Sequence, residues 1–120
     1  MATDKEIEQE RYGQRAAAAL EAGGALVVLG AEGVSLELRR PYLRFEELLR
    51  ETVRPDDRVL DLCCGAGQFS FVAAESGARV TGLDLSAASL ELAAQRCPDE
   101  LRKSVEWAEG DCEQLPFPDG

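Results

Sequence analysis

A glycine-rich turn between a short apolar run and a helical segment constrains this fold more than any other feature. The run Arg58–Leu62 is followed by Cys-Cys-Gly-Ala-Gly at residues 63–67, and a helical pattern then extends over residues 68–76. A second apolar run, a second helix and a third apolar run follow, at Arg79–Asp84, Ala87–Arg96 and 105–108. Strands that alternate with helices form parallel sheets with right-handed crossovers. The pattern therefore predicts an α/β fold with a Rossmann-like parallel sheet flanked by helices.

The N-terminal part of the chain begins with a strong helix signal. Thr3 and Glu6 have the spacing of a capping box, and an alanine-rich segment follows them, so a helix is predicted over residues 4–22. The glycines at residues 23 and 24 are expected to end it. Residues 34–39 alternate apolar and polar side chains, which is typical of a strand, although an ordered connection remains an equal alternative.

A second helix is expected to begin at Pro41 and to continue to about Glu51. Its apolar residues form a stripe on one face, made by Phe45, Leu48 and Leu49. The turn residues that follow, at positions 54–57, separate two parts of the chain. We therefore predict an N-terminal helical cap segment over residues 1–54 and a sheet-containing unit over residues 55–120.

Charge and composition exclude several classes of function. The chain has 120 residues, 13 Lys plus Arg, 23 Asp plus Glu and no His, which gives a net charge of −10. A chain this acidic is not expected to bind nucleic acid, because phosphate contacts need clustered Lys and Arg. No His-based triad or His-ligated metal is available. The longest uncharged run, residues 62–74, is shorter than the roughly 20 residues that cross a bilayer, and so is the apolar run at residues 22–31, so we expect no membrane partner and a cytoplasmic location.

The four cysteines do not form a metal-binding pattern. Cys63, Cys64, Cys97 and Cys112 include no Cys-x-x-Cys pair, so we expect no zinc knuckle and no metal site. The adjacent Cys63 and Cys64 could form a strained vicinal disulfide, but reduced thiols that act as small side chains are the expected state in a cytoplasmic protein.

Three features lie where the predicted strands end, which is where open parallel α/β sheets bind ligands. Gly65 and Gly67 remove side chains where the chain turns sharply, and they let a ligand approach the main chain and the N-terminus of the following helix. Asp84 ends the second strand, 19 residues beyond Gly65, which is the spacing of an acid that accepts hydrogen bonds from ribose hydroxyls. Asp111 follows the third strand, where it could accept from an adenine amine while the backbone N–H of Cys112 faces a ring nitrogen.

Each feature also has a purely structural interpretation. The glycine turn could be only a tight turn, Asp84 could be an acid at the start of the helix capped by Ser86, and Asp111 could be a plain loop acid. Together they favour a single adenosine lying across the ends of three strands.

Residues 57–119 resemble the class I S-adenosylmethionine-dependent methyltransferases. The family's first strand and turn usually read V-L-D-L-G-C-G-x-G, and the corresponding segment here is V-L-D-L-C-C-G-A-G at residues 59–67. By this resemblance Asp84 is the ribose acid, Leu85 packs on the adenine face, Asp111 contacts the adenine, and Asp61 lies near the methionine end of the cofactor. The departure is Cys63, which stands at the family's first glycine. We expect a negative φ there, so that the thiol fits and narrows the space beside the methionyl group.

The resemblance implies S-adenosylmethionine as cofactor and a methyl group transferred to a small-molecule acceptor. NAD is the competing cofactor, but its fingerprint requires a third glycine where Ser70 stands. The family sheet has seven strands in the order 3-2-1-4-5-7-6, so this chain would supply strands 3, 2 and 1, the first half of the domain. No residue is assigned as catalytic, and Tyr12 is expected to pack on the domain.

The edge of the first strand would then be exposed. An unpaired apolar strand edge promotes association. The chain is therefore expected to be a fragment of a longer enzyme, to be completed by a second chain, or to self-associate. The alternative function is a catalytically incomplete module that binds the cofactor or a partner.

Overall fold

The computed structural model describes residues 1–21 and 36–119. Within these residues, five helical segments and three strands follow one another. They are α1 (Asp4–Glu21), α2 (Leu36–Thr52), β1 (Arg58–Leu62), α3 (Gln68–Glu75), β2 (Arg79–Asp84), α4 (Ala87–Arg96), a short 3₁₀ helix (Asp99–Leu101) and β3 (Val105–Glu109). The strands form one parallel sheet in the order β1-β2-β3, which confirms the predicted β-α-β-α-β unit.

The sheet is flanked by helices, as predicted. The core beside the sheet is made of α3 side chains that pack against the strands, with Phe71 and Val80 among its buried members. A second cluster joins α1 to α4, where Ala16 and Ala19 are buried against Leu92. Because alanine side chains are short, α1 approaches α4 closely, and this contact holds the N-terminal helix over one end of the sheet.

The cap of α1 confirms the predicted capping box. The backbone N–H of Thr3 donates to Glu6 Oε2 at 2.7 Å, and the backbone N–H of Glu6 donates to Thr3 Oγ1 at 3.2 Å. Ser86 caps α4 as predicted, since its Oγ accepts from the backbone N–H of Ser89 at 3.2 Å. The predicted stop at residues 23 and 24 lies outside the described residues.

The prediction for the segment before Pro41 is wrong. Residues 36–39, which alternate as in a strand, belong to α2, and Pro41 lies inside this helix rather than at its start. Residues 34 and 35 of the predicted segment lie outside the described residues. Proline lacks the N–H that would bond to the carbonyl of Glu37, so the helix loses one hydrogen bond near its beginning. The predicted stripe on α2 is mostly exposed: Phe45 and Leu48 are 47% and 41% accessible, respectively.

Candidate functional site

A cleft of about 290 Å³ lies between α1 and the carboxyl ends of β1 and β2. Cys63, Gly65, Asp84 and Leu85 line it from the sheet side, and α1 contributes Glu8, Gln9 and Tyr12. This volume is close to the lower end of the range found for small-molecule sites. Four of the eight residues predicted to bind a cofactor therefore share one cleft.

Asp84 organises the sheet side of this cleft. Its Oδ2 accepts a hydrogen bond from the backbone N–H of Gly65 at 2.9 Å, and its Oδ1 accepts from the backbone N–H of Ser86 at 2.9 Å. The carboxylate thus ties the turn after β1 to the start of α4. Each carboxylate oxygen has about two acceptor positions, so both retain one for an incoming hydroxyl group. A diol, with two donors, fits this carboxylate.

The two glycines of the turn have different roles. Gly65 has φ +54° and a Cβ built on it would meet no atom within 4 Å, so its missing side chain leaves open space beside the cleft. Gly67 has φ +89° and is buried, and its Cβ would lie 2.7 Å from the Trp107 ring and 3.0 Å from Phe71. Gly65 therefore fits the predicted close approach of a ligand, whereas Gly67 makes room for the core.

The expectation for Cys63 is wrong. Its φ is +58°, in the left-handed region, and not negative. This conformation costs an L-residue roughly 1–2 kcal/mol, because Cβ approaches the following carbonyl oxygen. A glycine would avoid that cost, and Cys63 therefore introduces strain at the mouth of the cleft.

Replacing Cys63 by glycine is expected to stabilise the chain. The strain of about 1–2 kcal/mol is relieved, while the more flexible unfolded glycine offsets about 0.5–1 kcal/mol, so a net gain of up to about 1.5 kcal/mol is expected in urea unfolding. Cys63→Ala is the matched control, because it removes the thiol and keeps the strained backbone. Equal stability of the glycine and alanine variants would contradict the assignment of strain.

Asp61 lies beneath the turn and does not line the cleft. Its Oδ2 accepts from the Oγ of the fully buried Ser70 at 2.7 Å. Burial raises the pKa of Asp61 above its ordinary value, the bonds from Ser70 oppose this rise, and the negative charge of Asp84 adds to it. The first strand thus carries a carboxylate whose ionised form is disfavoured in the folded chain.

The raised pKa of Asp61 gives a pH-dependent prediction. From about pH 4, its ordinary unfolded value, up to the raised folded value, the folded chain binds more protons than the unfolded chain, so stability falls as pH rises through that window. Asp61→Asn keeps an acceptor for Ser70 and removes the charge. We expect the variant to melt at a higher temperature than the parent at pH 7, with a difference that shrinks as pH falls toward 4. A parent that melts higher at pH 7 would refute this interpretation.

The loop after β3 is tied to α1. Lys5 Nζ lies 2.7 Å from Asp111 Oδ2 and 2.5 Å from Glu113 Oε2, and Asp111 Oδ1 accepts from the backbone N–H of Glu113 at 2.9 Å. The Lys5 ammonium holds the pKa of Asp111 below its ordinary value. Asp111 and the exposed Cys112 do not line the cleft, and Asp111 has a cation as its partner.

Several residues of the site were not predicted from the sequence. Gln9 Nε2 donates to the carbonyl oxygen of Leu85 at 2.8 Å, so α1 is fastened to the loop after β2 as well as to the loop after β3. Tyr12 lines the cleft and is half exposed. The capping pattern and the alanines of α1 indicate a helix, but they carry no signal for where it docks.

All four cysteines are free thiols, as expected. Within residues 1–21 and 36–119, no three Cys, Asp or Glu side chains are grouped to hold a metal ion. In the same part of the chain, no helix is both long and apolar enough to cross a membrane.

Comparison with known proteins identifies the family. A family model described as a methyltransferase domain matches residues 59–120. A protein of Arabidopsis thaliana named 2-phytyl-1,4-beta-naphthoquinone methyltransferase, chloroplastic, is 46% identical over 69 residues, which are 52% of this chain and 26% of that protein.

Two solved structures extend the comparison. A geranyl diphosphate methyltransferase in complex with S-adenosylmethionine is 29% identical with a TM-score of 0.57, over 68% of this chain and 35% of that one. The [4+2]-cyclase SpnF shares the fold, with 23% identity and a TM-score of 0.69 over 98% of this chain and 46% of that one. The chain thus spans less than half the length of each protein compared. The methyltransferase-domain model matches residues 59–120, and the sheet is parallel with the order β1-β2-β3. The chain therefore belongs to the class I S-adenosylmethionine-dependent methyltransferases, of which it represents the N-terminal part.

Proposed function

We propose that this chain is the cofactor-binding part of an S-adenosylmethionine-dependent methyltransferase that acts on a small-molecule acceptor. One observation carries the proposal: the Asp84 carboxylate and the open space beside Gly65 lie next to each other in one cleft. The matched family domain and the naphthoquinone methyltransferase relative support the class of reaction.

Each residue has a proposed role toward the cofactor. Asp84 accepts from both ribose hydroxyls, Leu85 packs on the adenine face, and Gly65 lets the cofactor lie against the main chain. Cys63 borders the methionyl group. Asp61 does not contact the cofactor; from beneath the turn, it fixes the positions of the first strand and of the turn that follows it. Gly67 acts indirectly, because it permits the packing of Trp107 that shapes the turn.

Asp111 and Cys112 are proposed to meet the adenine from the loop after β3. Lys5 already occupies one oxygen of Asp111, so adenine contact requires either the remaining acceptor positions of this carboxylate or a shift of α1. The N-terminal segment, residues 1–54, is proposed to act as a cap, and residues 55–120 as the first half of the cofactor domain. The position of Gln9 and Tyr12 on the cleft supports this division for α1.

When bound, S-adenosylmethionine supplies an electrophilic methyl group on a sulfonium. This chain contributes orientation, by holding the ribose and the backbone turn in fixed positions, and α1 covers part of the cleft and excludes water. We assign no general base within the chain, and the acceptor site is proposed to lie in the remainder of the enzyme.

The proposal is tested by calorimetric titration of the purified chain with S-adenosylhomocysteine and, separately, with NADH. Saturable binding of S-adenosylhomocysteine and no binding of NADH is the expected result. Binding of NADH alone, or of neither compound by a folded chain, would overturn the proposal.

The open edge of β1 favours a second candidate function, an interaction module completed by another chain. Among residues 1–21 and 36–119, β1 pairs with β2 and with no other strand, and Leu60 and Leu62 are 40% and 46% exposed. Unpaired N–H and C=O groups beside exposed leucines favour association. Titration of the isolated chain with S-adenosylhomocysteine separates the two candidates, because the cofactor-binding part binds this compound by itself, whereas the interaction module binds it only after a second chain completes the sheet.

A further inference from the structure

The two halves of α1 are attached to the rest of the chain in different ways. The second half is held by apolar packing, because two of its alanines are buried against Leu92 of α4. The first half is held by polar side chains: Lys5 Nζ bonds to carboxylates of the loop after β3, and Gln9 Nε2 donates to the carbonyl oxygen of Leu85. The first half can therefore be released without loss of the apolar contact.

Gly13 lies at the middle of α1, between these two halves. Glycine is, after proline, the least favourable residue in a helix interior, because it loses the most backbone freedom on folding. Among the residues that the structure describes, a Cβ built on Gly13 would meet only Ser86 Oγ, at 3.6 Å, which is ordinary contact. Packing therefore does not require a glycine here, and the residue gives α1 a point at which the helix bends at lower cost.

The first half of α1 lies across the two loops that are proposed to hold the adenine. Lys5 and Gln9 are one helical turn apart, about 6 Å along the axis, and they bond to the loop after β3 and to the loop after β2, respectively. Leu85 is the proposed partner of the adenine face, and Asp111 is the proposed partner of its amine. The cleft reaches Leu85 but not Asp111, so this half of the helix closes the cleft on the side of β3.

Lys5 competes with a ligand for the Asp111 carboxylate. Its Nζ lies 2.7 Å from Asp111 Oδ2, while Oδ1 already accepts from the backbone N–H of Glu113 at 2.9 Å. The Glu113 carboxylate holds the same ammonium at 2.5 Å. The side chains of Lys5 and Glu113 are 44% and 70% exposed, and ion pairs this exposed are weak and are screened by salt. A ligand that offers Asp111 a new donor can therefore displace Lys5.

We propose that the Lys5 contact is an autoinhibitory latch: it holds the first half of α1 over the adenine end of the cleft, and Lys5 must leave Asp111 for the cofactor to bind. The inference rests on the proposed function, because only there is Asp111 a cofactor residue. In the open chain, Asp111 accepts from the adenine amine instead of the ammonium, and α1 bends at Gly13 while its second half stays packed on α4. The apparent affinity equals the affinity of the open chain multiplied by the fraction that is open.

The first test is calorimetric titration of the parent, Lys5→Met and Lys103→Met with S-adenosylhomocysteine. Lys103 is the matched control, because it is the other lysine of the chain and is exposed just before β3, at the end of the sheet opposite the cleft. Lys5→Met is expected to tighten binding by about three- to tenfold at low salt, and Lys103→Met to leave it unchanged. Added salt screens the latch, so the affinity of the parent is expected to rise toward that of Lys5→Met.

Saturable binding by the parent with equal or weaker binding by Lys5→Met would overturn the latch and leave the proposed function intact. Absence of binding by both folded proteins would refute the proposed function and the latch with it. Gly13→Ala tests the bend separately, because alanine fits the space and stabilises the helix. This variant is expected to bind S-adenosylhomocysteine about threefold more weakly than the parent, and equal or tighter binding would overturn the bend.

The second test follows the latch in the unsubstituted chain. Acetylation by acetic anhydride, measured by mass spectrometry, reports how accessible each lysine amine is, and Lys103 serves as the internal reference. Saturating S-adenosylhomocysteine is expected to raise the acetylation rate of Lys5 relative to Lys103 by about threefold or more, because Lys5 loses its bond to Asp111. An unchanged or lower ratio would mean that Lys5 stays in place when the compound binds, and it would overturn the latch.

Discussion

Replacing Asp84 by alanine is expected to weaken S-adenosylmethionine binding by about 10- to 100-fold, the loss of one to two hydrogen bonds to a charged acceptor. The same change leaves the backbone N–H groups of Gly65 and Ser86 without their acceptor, so the turn loses part of its preorganisation. Calorimetry on the parent and the variant measures the change directly.

The control for this prediction is Glu109→Ala. Glu109 lies beside Asp84 in the sheet register and is also an acid, but it is exposed and does not line the cleft. Its removal changes the net charge by the same amount and is expected to leave affinity almost unchanged. Equal affinities of the parent and Asp84→Ala, with both proteins folded, would remove Asp84 from the site.

Replacing Gly67 by alanine is expected to destabilise the fold by about 2–5 kcal/mol. The left-handed backbone contributes about 1–2 kcal/mol of this loss, and the overlap of the new Cβ with Trp107 and Phe71 contributes about 1–3 kcal/mol. Urea unfolding of parent and variant measures the difference.

Gly65→Ala is the matched control, because it has the same backbone requirement without the steric overlap. Its loss of stability is expected to stay near the backbone cost of about 1–2 kcal/mol, while its Cβ enters the open space beside the cleft and weakens cofactor binding. If both alanine variants lost the same stability, the packing role of Gly67 would be wrong.

The sheet could be predicted from the sequence because its signals are local. Each strand is a short apolar run bounded by glycine or turn residues, and each helix between strands has its own start signal, such as Ser86 before α4. The start of α2 could not be predicted in the same way. Six alternating residues before Pro41 satisfy a strand pattern, yet they are too few to distinguish it from one face of a helix.

The site could be predicted where sequence spacing carries the chemistry. Asp84 is predicted from its position in the sequence, 19 residues beyond Gly65, and the two residues are hydrogen-bonded in the structure. The opposite wall could not be assigned, because Gln9 meets Leu85 across 76 residues and Lys5 meets Asp111 across 106. The left-handed φ of Cys63 could not be predicted for a different reason: residue type alone does not reveal such a φ when the position is not a glycine.

The most direct test of the central claim is an NMR titration of the isotopically labelled chain with S-adenosylhomocysteine. The account predicts saturable shifts of the backbone amides of Gly65, Leu85 and Ser86, which surround the Asp84 carboxylate, while the amides of Val105 and Glu106, at the opposite end of the sheet, stay unchanged. A well-dispersed spectrum in which the amides around Asp84 do not respond, or in which the shifts map to another part of the chain, would contradict it.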